Sequence, residues 1–170
     1  IEDIAKHLAF VAKSEGIEAD PEALHIIAQK ADGALRDALS IFDQIVSFSG
    51  QKITYEDVLK NLNILDYDYY FAVVSSLLEG DIPKALLLFD EILQKGFDGH
   101  HFVSGLAGHF RNLMVCKDSS TLQLLEVGAQ TRDKYRQQCT ITPVPLIMKA
   151  LDALSKADVG WRVLRLDRVP

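Results

Sequence analysis

The chain has 170 residues, and 48% of them are hydrophobic, which is enough to bury a real core and argues against a disordered chain. Its formal net charge is −6 and its sequence pI is near 5.3. This balance argues against a free-standing nucleic-acid-binding module, because phosphate binding is dominated by lysine and arginine.

Two helices are predicted at the start of the chain. Apolar residues keep helical spacing from Glu2 to Glu15, and Gly16 occupies the position of a C-terminal cap. Asp20 followed by Pro21 predicts the start of a second helix, because an acidic N-cap and a proline in the first turn both favour helix initiation. Its expected buried stripe is formed by Leu24, Ile27, Ala28 and Ala31. The dipeptide Asp32-Gly33 is a turn signal that would end it.

The third helix, from about Ala34 to Phe48, has the strongest amphipathic pattern in the chain. Its expected buried stripe consists of Leu35, Ala38, Leu39, Phe42, Ile45 and Val46. Ser49-Gly50 would end it. Thr54 predicts the cap of a shorter fourth helix, with Asp57 at the capping-box position. The end of that helix near Leu65 is the predicted domain boundary.

The fifth and sixth helices are predicted from a change in residue composition after Leu65. A cluster of aromatic residues, Tyr67–Phe71, opens the fifth helix, which Gly80 would end. Core packing is the expected role of these tyrosines, and a subunit interface is the alternative, because tyrosine is enriched at interfaces. The sixth helix, after Asp81, is apolar almost all round, which predicts burial on more than one side.

The seventh helix, from roughly Asp98 to Cys116, contains Gly105 and Gly108. A glycine costs a helix about 1 kcal/mol relative to alanine, so the pair predicts a close approach of another helix. A short helix is predicted around Leu122 to Leu125.

The rest of the chain completes an all-α prediction. Residues 131–138 are polar with helical propensity, and Thr142 opens a further helix that extends through Leu154. In the tail, Trp161 to Pro170, two outcomes stay open: a short buried element or a loose end. The candidate buried residues there are Val163, Leu164, Leu166 and Val169. Strand-like alternation occurs nowhere at convincing length.

Arg36 stands in an unusual electrostatic position, in the first turn of the third helix and on the face away from its apolar stripe. A helix N-terminus carries a partial positive charge, so a cation there is disfavoured by roughly 0.3–1 kcal/mol whereas an anion is stabilised. Two interpretations follow. Either Asp37 or another carboxylate neutralises Arg36 on a solvated face, or a phosphate group binds beside it.

The segment from Gly33 to Ser40, Gly-Ala-Leu-Arg-Asp-Ala-Leu-Ser, resembles the sensor 2 segment of the clamp-loader gamma/tau subunits of bacterial DNA polymerase III, a family of AAA+ ATPases. The resemblance continues through Ile41–Gln44, and four short helices over about 65 residues resemble the lid domain of that class. It implies that Arg36 senses the terminal phosphates of ATP, with Gly33 and Asp37 as the other motif positions.

By the same resemblance, residues 1–65 form an AAA+ lid domain and residues 66–170 form a helical collar that mediates oligomerisation. The implied function is coupling of ATP sensing to sliding-clamp loading in DNA replication, in the cytoplasm. The implied partners are other clamp-loader subunits through the collar, with the sliding clamp and primer-template DNA reached only through the whole assembly. Self-association of the collar is a further expectation, and no membrane contact is implied.

Catalysis is expected to lie outside this chain. It contains no Gly-x-x-x-x-Gly-Lys-Ser/Thr loop, so the chain alone should neither hydrolyse ATP nor hold a cofactor. It begins at Ile1 without a methionine, inside a helical pattern, and we expect the ATPase domain of the full-length holoenzyme subunit to precede it.

Other functional classes have weaker support. Cys116 and Cys139 stand alone, and the histidines His100, His101 and His109 lack the spacing and carboxylates of a metal site. No apolar run reaches the roughly 18–20 residues of a membrane-spanning helix, and we expect no signal peptide. The alternative function, a stand-alone helical interaction module, is disfavoured because no period of roughly 34 to 45 residues repeats.

Overall fold

The computed structural model describes residues 1–166, with side chains described for residues 1–160. Within that range nearly all regular structure is helical, which confirms the all-α prediction. The chain divides into two compact units. Unit 1 comprises Ile1–Ile64 and Glu126–Arg132, and unit 2 comprises Leu65–Leu125 and Asp133–Pro170. The predicted division into 1–65 and 66–170 did not include the return of Glu126–Arg132 to unit 1.

Unit 1 is built from four helices and two very short strands. The helices are α1 (Glu2–Ser14), α2 (Pro21–Lys30), α3 (Leu35–Ser49) and α4 (Tyr55–Leu62). The strands β1 (Glu18–Ala19) and β2 (Lys52–Ile53) pair in parallel, with Glu18 opposite Lys52 and Ala19 opposite Ile53. The strands were not predicted, because each is only two residues long and shows no alternation.

The helix ends of unit 1 are set by local capping. The Asp20 carboxylate accepts a hydrogen bond from the Glu22 amide at 3.0 Å, which fixes the start of α2 as predicted. Thr54 and Asp57 form the predicted reciprocal capping box of α4. Past the end of α1, Gly16 has φ +70°, and the Ile17 amide donates to the Ala12 carbonyl at 2.8 Å, as in a Schellman motif.

The core of unit 1 lies where the apolar stripes of its helices meet. Its fully buried side chains include Leu8, Ile27, Ala38, Phe42, Ile45, Ile53 and Val58. Most of the predicted stripe of α3 therefore faces inward. Leu35, in the first turn of α3, is the exception: it is 41% exposed.

Unit 2 is also helical. Its elements are α5 (Tyr67–Glu79), α6 (Ile82–Gln94), α7 (Gly99–Val115), a 3₁₀ turn (Leu122–Leu124), most of α8 (Ala129–Ile141) and α9 (Val144–Leu166). The boundary between the units falls inside α8, whose residues 129–132 cluster with unit 1. Within unit 2, α7 packs against α9 and α5 packs against α6. Its buried residues include Val74, Ile92, Phe110, Leu113, Tyr135 and Ile147.

One prediction about unit 2 is wrong, and another is confirmed at only one of its two positions. The sixth helix, α6, is not buried on more than one side: Ile92 is its one buried residue among the described side chains. Of the two glycines in α7, a Cβ at Gly105 would meet the Tyr70 ring, but a Cβ at Gly108 would meet no atom within 4 Å. The predicted buried element at Val163, Leu164, Leu166 and Val169 lies outside the described side chains.

Candidate functional site

The turn between α2 and α3 places the candidate arginine. Asp32 and Gly33 have φ values of +47° and +83°, and the Ala34 amide donates to the Ala31 carbonyl at 2.9 Å. Two successive left-handed residues under such a bond are the geometry of a type I′ turn, which glycine adopts without steric cost. A Cβ at Gly33 would meet no atom within 4 Å, so the backbone conformation alone favours glycine there.

The α3 helix begins directly after this turn without a side-chain cap. Ala34 occupies the N-cap position and cannot accept a hydrogen bond through its side chain. By contrast, α2 is capped by Asp20 and α4 by Thr54. The first amides of a helix have no intrahelical acceptor, so the start of α3 keeps its partial positive charge and its hydrogen-bonding capacity.

Arg36 is the second residue of α3, and its side chain is exposed. Among the described side chains, no carboxylate forms an ion pair with its guanidinium and no acceptor hydrogen-bonds to it. Its carbonyl accepts from the Ser40 hydroxyl at 3.0 Å, a contact within the helix. Asp37 is exposed and forms no ion pair with Arg36 within the described part of the chain. The neutralisation by Asp37 that sequence reasoning allowed is therefore not observed.

The three predicted site residues, Gly33, Arg36 and Asp37, are thus together at one helix start. The arrangement combines a free guanidinium with uncapped backbone amides. Both are donors, and neither has an acceptor in the described structure. Such a combination can bind an anion with several oxygen atoms, such as a phosphate group.

A second feature of unit 1 was missed by sequence reasoning: the segment Glu126–Arg132, called the strap below, is held by α2. The Glu22 carboxylate accepts from the Gln130 amide at 3.0 Å and from the Thr131 hydroxyl at 3.3 Å. The Gln29 side-chain amide donates to the Glu126 carbonyl at 3.1 Å. Glu22 therefore caps the N-terminus of α8 from a position over a hundred residues away, for which the sequence carries no local signal.

Gly128 is required by this contact. A Cβ on Gly128 would lie 2.1 Å from one oxygen of the Glu22 carboxylate, far inside van der Waals contact. Any other residue would displace the carboxylate from the start of α8. Gly128 and Glu22 therefore form one structural unit.

Unit 1 also contains a cavity of about 500 Å³ between α1 and α2. Its walls are mostly small and apolar, and they include Ala5, Ala9, Ala12, Leu24, Gly128 and Ala129. Arg36 does not line it. The cavity is therefore separate from the candidate anion site.

The described residues form neither a candidate metal site nor a candidate membrane-spanning helix. No group of three or more histidine, cysteine, aspartate or glutamate side chains there could hold a metal ion. His100 is paired with Asp158, with 2.7 Å between its Nε2 and the carboxylate. None of the described helices combines the length and the apolar character needed to span a bilayer.

Comparison with known proteins gives an independent view of these residues. Residues 3–51, which contain α2, α3 and all but the first residue of α1, match the ATPase lid domain of the DNA polymerase III clamp loader subunit. The chain is 28% identical over 153 residues to DNA polymerase III subunit tau of Bacillus subtilis, a match that covers 89% of this chain and 27% of the relative. It is 34% identical over 129 residues to DNA polymerase III subunit gamma/tau of Mycoplasma genitalium, covering 75% and 22% respectively.

A solved structure supports the fold. The Bacillus subtilis DNA clamp loader delta protein superposes with a TM-score of 0.56 at 15% identity, covering 95% of this chain and 50% of that one. The chain spans about a quarter of the length of the two relatives. The matched lid domain includes Gly33, Arg36 and Asp37. By its lid-domain match and its tau and gamma/tau relatives, the chain belongs to the DNA polymerase III clamp-loader subunit family.

Proposed function

We propose that this chain is the ATP-sensing lid and the collar of a gamma/tau-type clamp-loader subunit. Residues 1–65 are the lid, and residues 66–170 are the collar. The strap is the one part of the collar sequence that clusters with unit 1. In this proposal the collar joins other clamp-loader subunits, and the assembly couples ATP to the loading of a sliding clamp onto primer-template DNA in the cytoplasm. The chain by itself neither binds nor hydrolyses ATP.

The observation that carries the proposal is the free guanidinium of Arg36 at the uncapped start of α3. A cation at a positive helix end is unfavourable by itself, so its position is best explained by an anion that both groups share. It lies within the residues that match an ATPase lid domain. The terminal phosphates of ATP, held by an ATPase domain elsewhere in the protein, are the anion that we propose.

The proposed mechanism assigns a specific task to each site residue. The left-handed turn at Gly33 sets the direction in which α3 leaves α2, and therefore where the guanidinium points. When ATP is bound by the ATPase domain, Arg36 forms charge-assisted hydrogen bonds that are absent without it. This differential contact shifts the population of lid orientations towards the ATP-bound one, because a ligand shifts an equilibrium by its difference in affinity for the two states.

The test is the substitution Arg36→Ala in the full-length protein that contains this chain. Hydrogen bonds to a charged group contribute about 1.5–3 kcal/mol, so ATP-dependent clamp loading should fall by about 10- to 150-fold. Arg36→Lys should retain part of the activity, because lysine keeps the charge but not the bidentate geometry. Lys52→Ala, which removes another exposed cation of unit 1, is the matched control and should load clamps normally.

The stability of each variant is measured by urea unfolding. Arg36 has no partner among the described side chains, so its removal should change the free energy of unfolding by less than about 0.5 kcal/mol. Normal clamp loading by the Arg36→Ala protein would disprove the sensing role. In a separate titration calorimetry experiment, Mg-ATP should produce no binding heat with the 170-residue chain alone. Measurable binding would contradict the proposal that ATP is held by a separate ATPase domain.

A further inference from the structure

The cavity between α1 and α2 has the size of a small-molecule site. Its volume of about 500 Å³ lies within the range of roughly 300–1,000 Å³ that is usual for ligand pockets. Alanines supply most of its α1 wall, because Ala5, Ala9 and Ala12 recur at helical spacing on one side of that helix. Their small side chains leave open the space that larger residues would fill.

The shape and chemistry of the walls favour an unbranched alkyl chain. Ala5 and Ala12 are seven residues apart, so the alanine wall extends for about 10 Å along α1. The opposite walls are formed by Leu24 and Pro21 of α2 and by Ala129 of the strap. The residues that line the cavity include no phenylalanine, tyrosine or tryptophan on which an aromatic ligand could stack.

Five titratable side chains also line the cavity, and three of them are already engaged. Lys6 pairs with Glu2, with 3.3 Å between Nζ and the carboxylate. The Glu22 carboxylate accepts hydrogen bonds from the Gln130 amide and the Thr131 hydroxyl of the strap. The charges of these three residues are therefore compensated within unit 1.

The other two titratable residues, Lys13 and His25, have unused hydrogen-bonding capacity. The Lys13 side chain is exposed and forms no ion pair within the described part of the chain. His25 Nε2 is buried and has no hydrogen-bond partner in the described structure. A buried polar atom without a partner is costly, and native proteins generally satisfy such atoms. A lysine can only donate, and an imidazole can donate through Nε2, so both groups can serve an anionic acceptor.

We propose that the cavity is a binding site for a small aliphatic carboxylate, with an alkyl chain of about ten carbons. The alkyl chain lies along the alanine wall of α1, and the carboxylate accepts hydrogen bonds from Lys13 and His25. Burial of the chain supplies most of the affinity, and the charge-assisted hydrogen bonds select the anion. This site goes beyond the proposed ATP-sensing role, because Arg36 does not line the cavity.

Occupation of the cavity should stabilise the strap. Glu22 and Gly128 line the cavity, and the same Glu22 carboxylate holds the Gln130 amide at 3.0 Å. A ligand that requires the strap in place stabilises it by mass action. With the ligand at ten times its dissociation constant, hydrogen exchange at the Gln130 amide should slow by up to about tenfold.

Titration calorimetry of the 170-residue chain with sodium decanoate tests the proposal. Decanoate should bind with a dissociation constant on the order of 10–1000 μM, because the gain from burying one alkyl chain is partly offset by the cost of association. Decylammonium is the matched ligand control, since it has a similar alkyl chain with a cationic head. It should bind at least about tenfold more weakly, because Lys13 repels it.

Two variants with matched controls test the location of the site. Ala9→Trp places a large side chain at the exposed alanine of the cavity wall and should raise the dissociation constant for decanoate at least about tenfold. Ala153→Trp, at an exposed alanine of α9, should bind normally. Lys13→Gln should weaken binding by about two- to fivefold, the range for an exposed ion pair, and Lys30→Gln should not.

Four results would overturn the proposal. These are no binding of decanoate, equal binding of decylammonium, unweakened binding by Ala9→Trp, and binding to the 170-residue chain but not to the full-length protein that contains it. The last would show that the rest of the protein covers the cavity. Circular dichroism establishes that each variant is folded. Arg36→Ala should bind decanoate normally, so the outcome of this test is independent of the outcome of the clamp-loading test.

Discussion

Arg36 and His109 are both basic residues, but one lies in solvent and the other in the protein interior. The Arg36 side chain is exposed, whereas His109 is only 2% exposed and lies against the rings of Phe71 and Tyr135, at 4.6 and 4.8 Å between centroids. The sequence analysis found no metal-site spacing among the histidines of α7, and the structure shows that His109 packs in the interior of unit 2. Its surroundings have a direct consequence for stability.

Hydrogen bonding fixes the proton on the His109 ring. The Gln138 side-chain amide donates to the Phe71 carbonyl at 2.8 Å and to the Ser75 hydroxyl at 3.1 Å, so its oxygen must be the atom that faces His109. His109 Nε2, 2.8 Å from that oxygen, therefore donates. Its Nδ1 is buried without a hydrogen-bond partner in the described structure. The ring is neutral, because burial lowers the pKa of His109 to about 4, against a smaller opposing effect of the Gln138 hydrogen bond.

We predict that His109 makes the chain less stable in weak acid. Because its pKa is lower in the folded than in the unfolded state, the unfolded chain takes up the proton first as the pH falls below about 6.5. Stability is therefore full above that pH and falls until about pH 4, where the folded state is protonated as well. Between pH 7.5 and pH 5 the loss should be about 2 kcal/mol.

Urea unfolding at the two pH values measures this loss. The variant His109→Gln cannot take up a proton, so its unfolding free energy should depend less on pH than that of the original chain. His101→Gln is the control, because His101 is exposed. An equal pH dependence in the original chain and the His109→Gln variant would contradict the prediction.

At the scale of elements, the two glycines of α7 differ although they are only three residues apart. A Cβ at Gly105 would lie 2.1 Å from the Tyr70 hydroxyl oxygen, and Tyr70 is a largely buried residue of α5. Gly108 faces open space. The close helix approach that the sequence predicted exists at Gly105, where the tyrosine of the neighbouring helix occupies the volume of a side chain.

Substitution of the two glycines should therefore have opposite effects. Gly105→Ala should destabilise unit 2 by about 1–3 kcal/mol, the usual cost of overpacking a core. Gly108→Ala should stabilise the chain by about 0.5–1 kcal/mol, because alanine loses less backbone entropy in a helix. The measurement is urea unfolding of both variants. Equal effects would show that helix propensity, rather than the contact with Tyr70, decides stability at Gly105.

The capping of α8 by Glu22 gives a second prediction about elements. Glu22→Gln and Gly128→Ala disrupt the same contact, the first by removing the charge and the second by displacing the carboxylate. Each should destabilise the chain by about 0.5–2 kcal/mol, the range for loss of a helix cap. Their combined effect should be smaller than the sum by at least about 0.5 kcal/mol, because the contact can be lost only once.

Urea unfolding of both single variants and the double variant measures this coupling, and hydrogen exchange at the Gln130 amide reports the cap itself. The matched control is Glu22→Gln combined with Gly108→Ala, whose effects should add. Additive effects of Glu22→Gln and Gly128→Ala would show that the two residues act independently. Unchanged exchange at Gln130 in Glu22→Gln would show that the carboxylate does not protect that amide.

At the scale of the whole molecule, the chain forms two units whose sequence boundary is not a single point. A boundary near Leu65 was predicted from the end of the fourth helix and the change in residue composition after it, and unit 1 does include Ile1–Ile64. The strap was not assigned to unit 1 from the sequence, because it is held by Glu22 and Gln29 rather than by a local pattern.

The sequence by itself determined the helices, most of their ends and the family. Caps such as Asp20, Thr54 and Gly16 act on amides and carbonyls within a few residues, so their signals are local and readable. The motif that contains Arg36 is likewise contiguous. Only the tertiary structure decided that the apolar surface of α6 is exposed, that Tyr70 fills the space at Gly105 but not at Gly108, and that Glu22 caps a distant helix. Burial and long-range contacts depend on which elements meet in space, and the spacing of residues along one helix does not specify its neighbours.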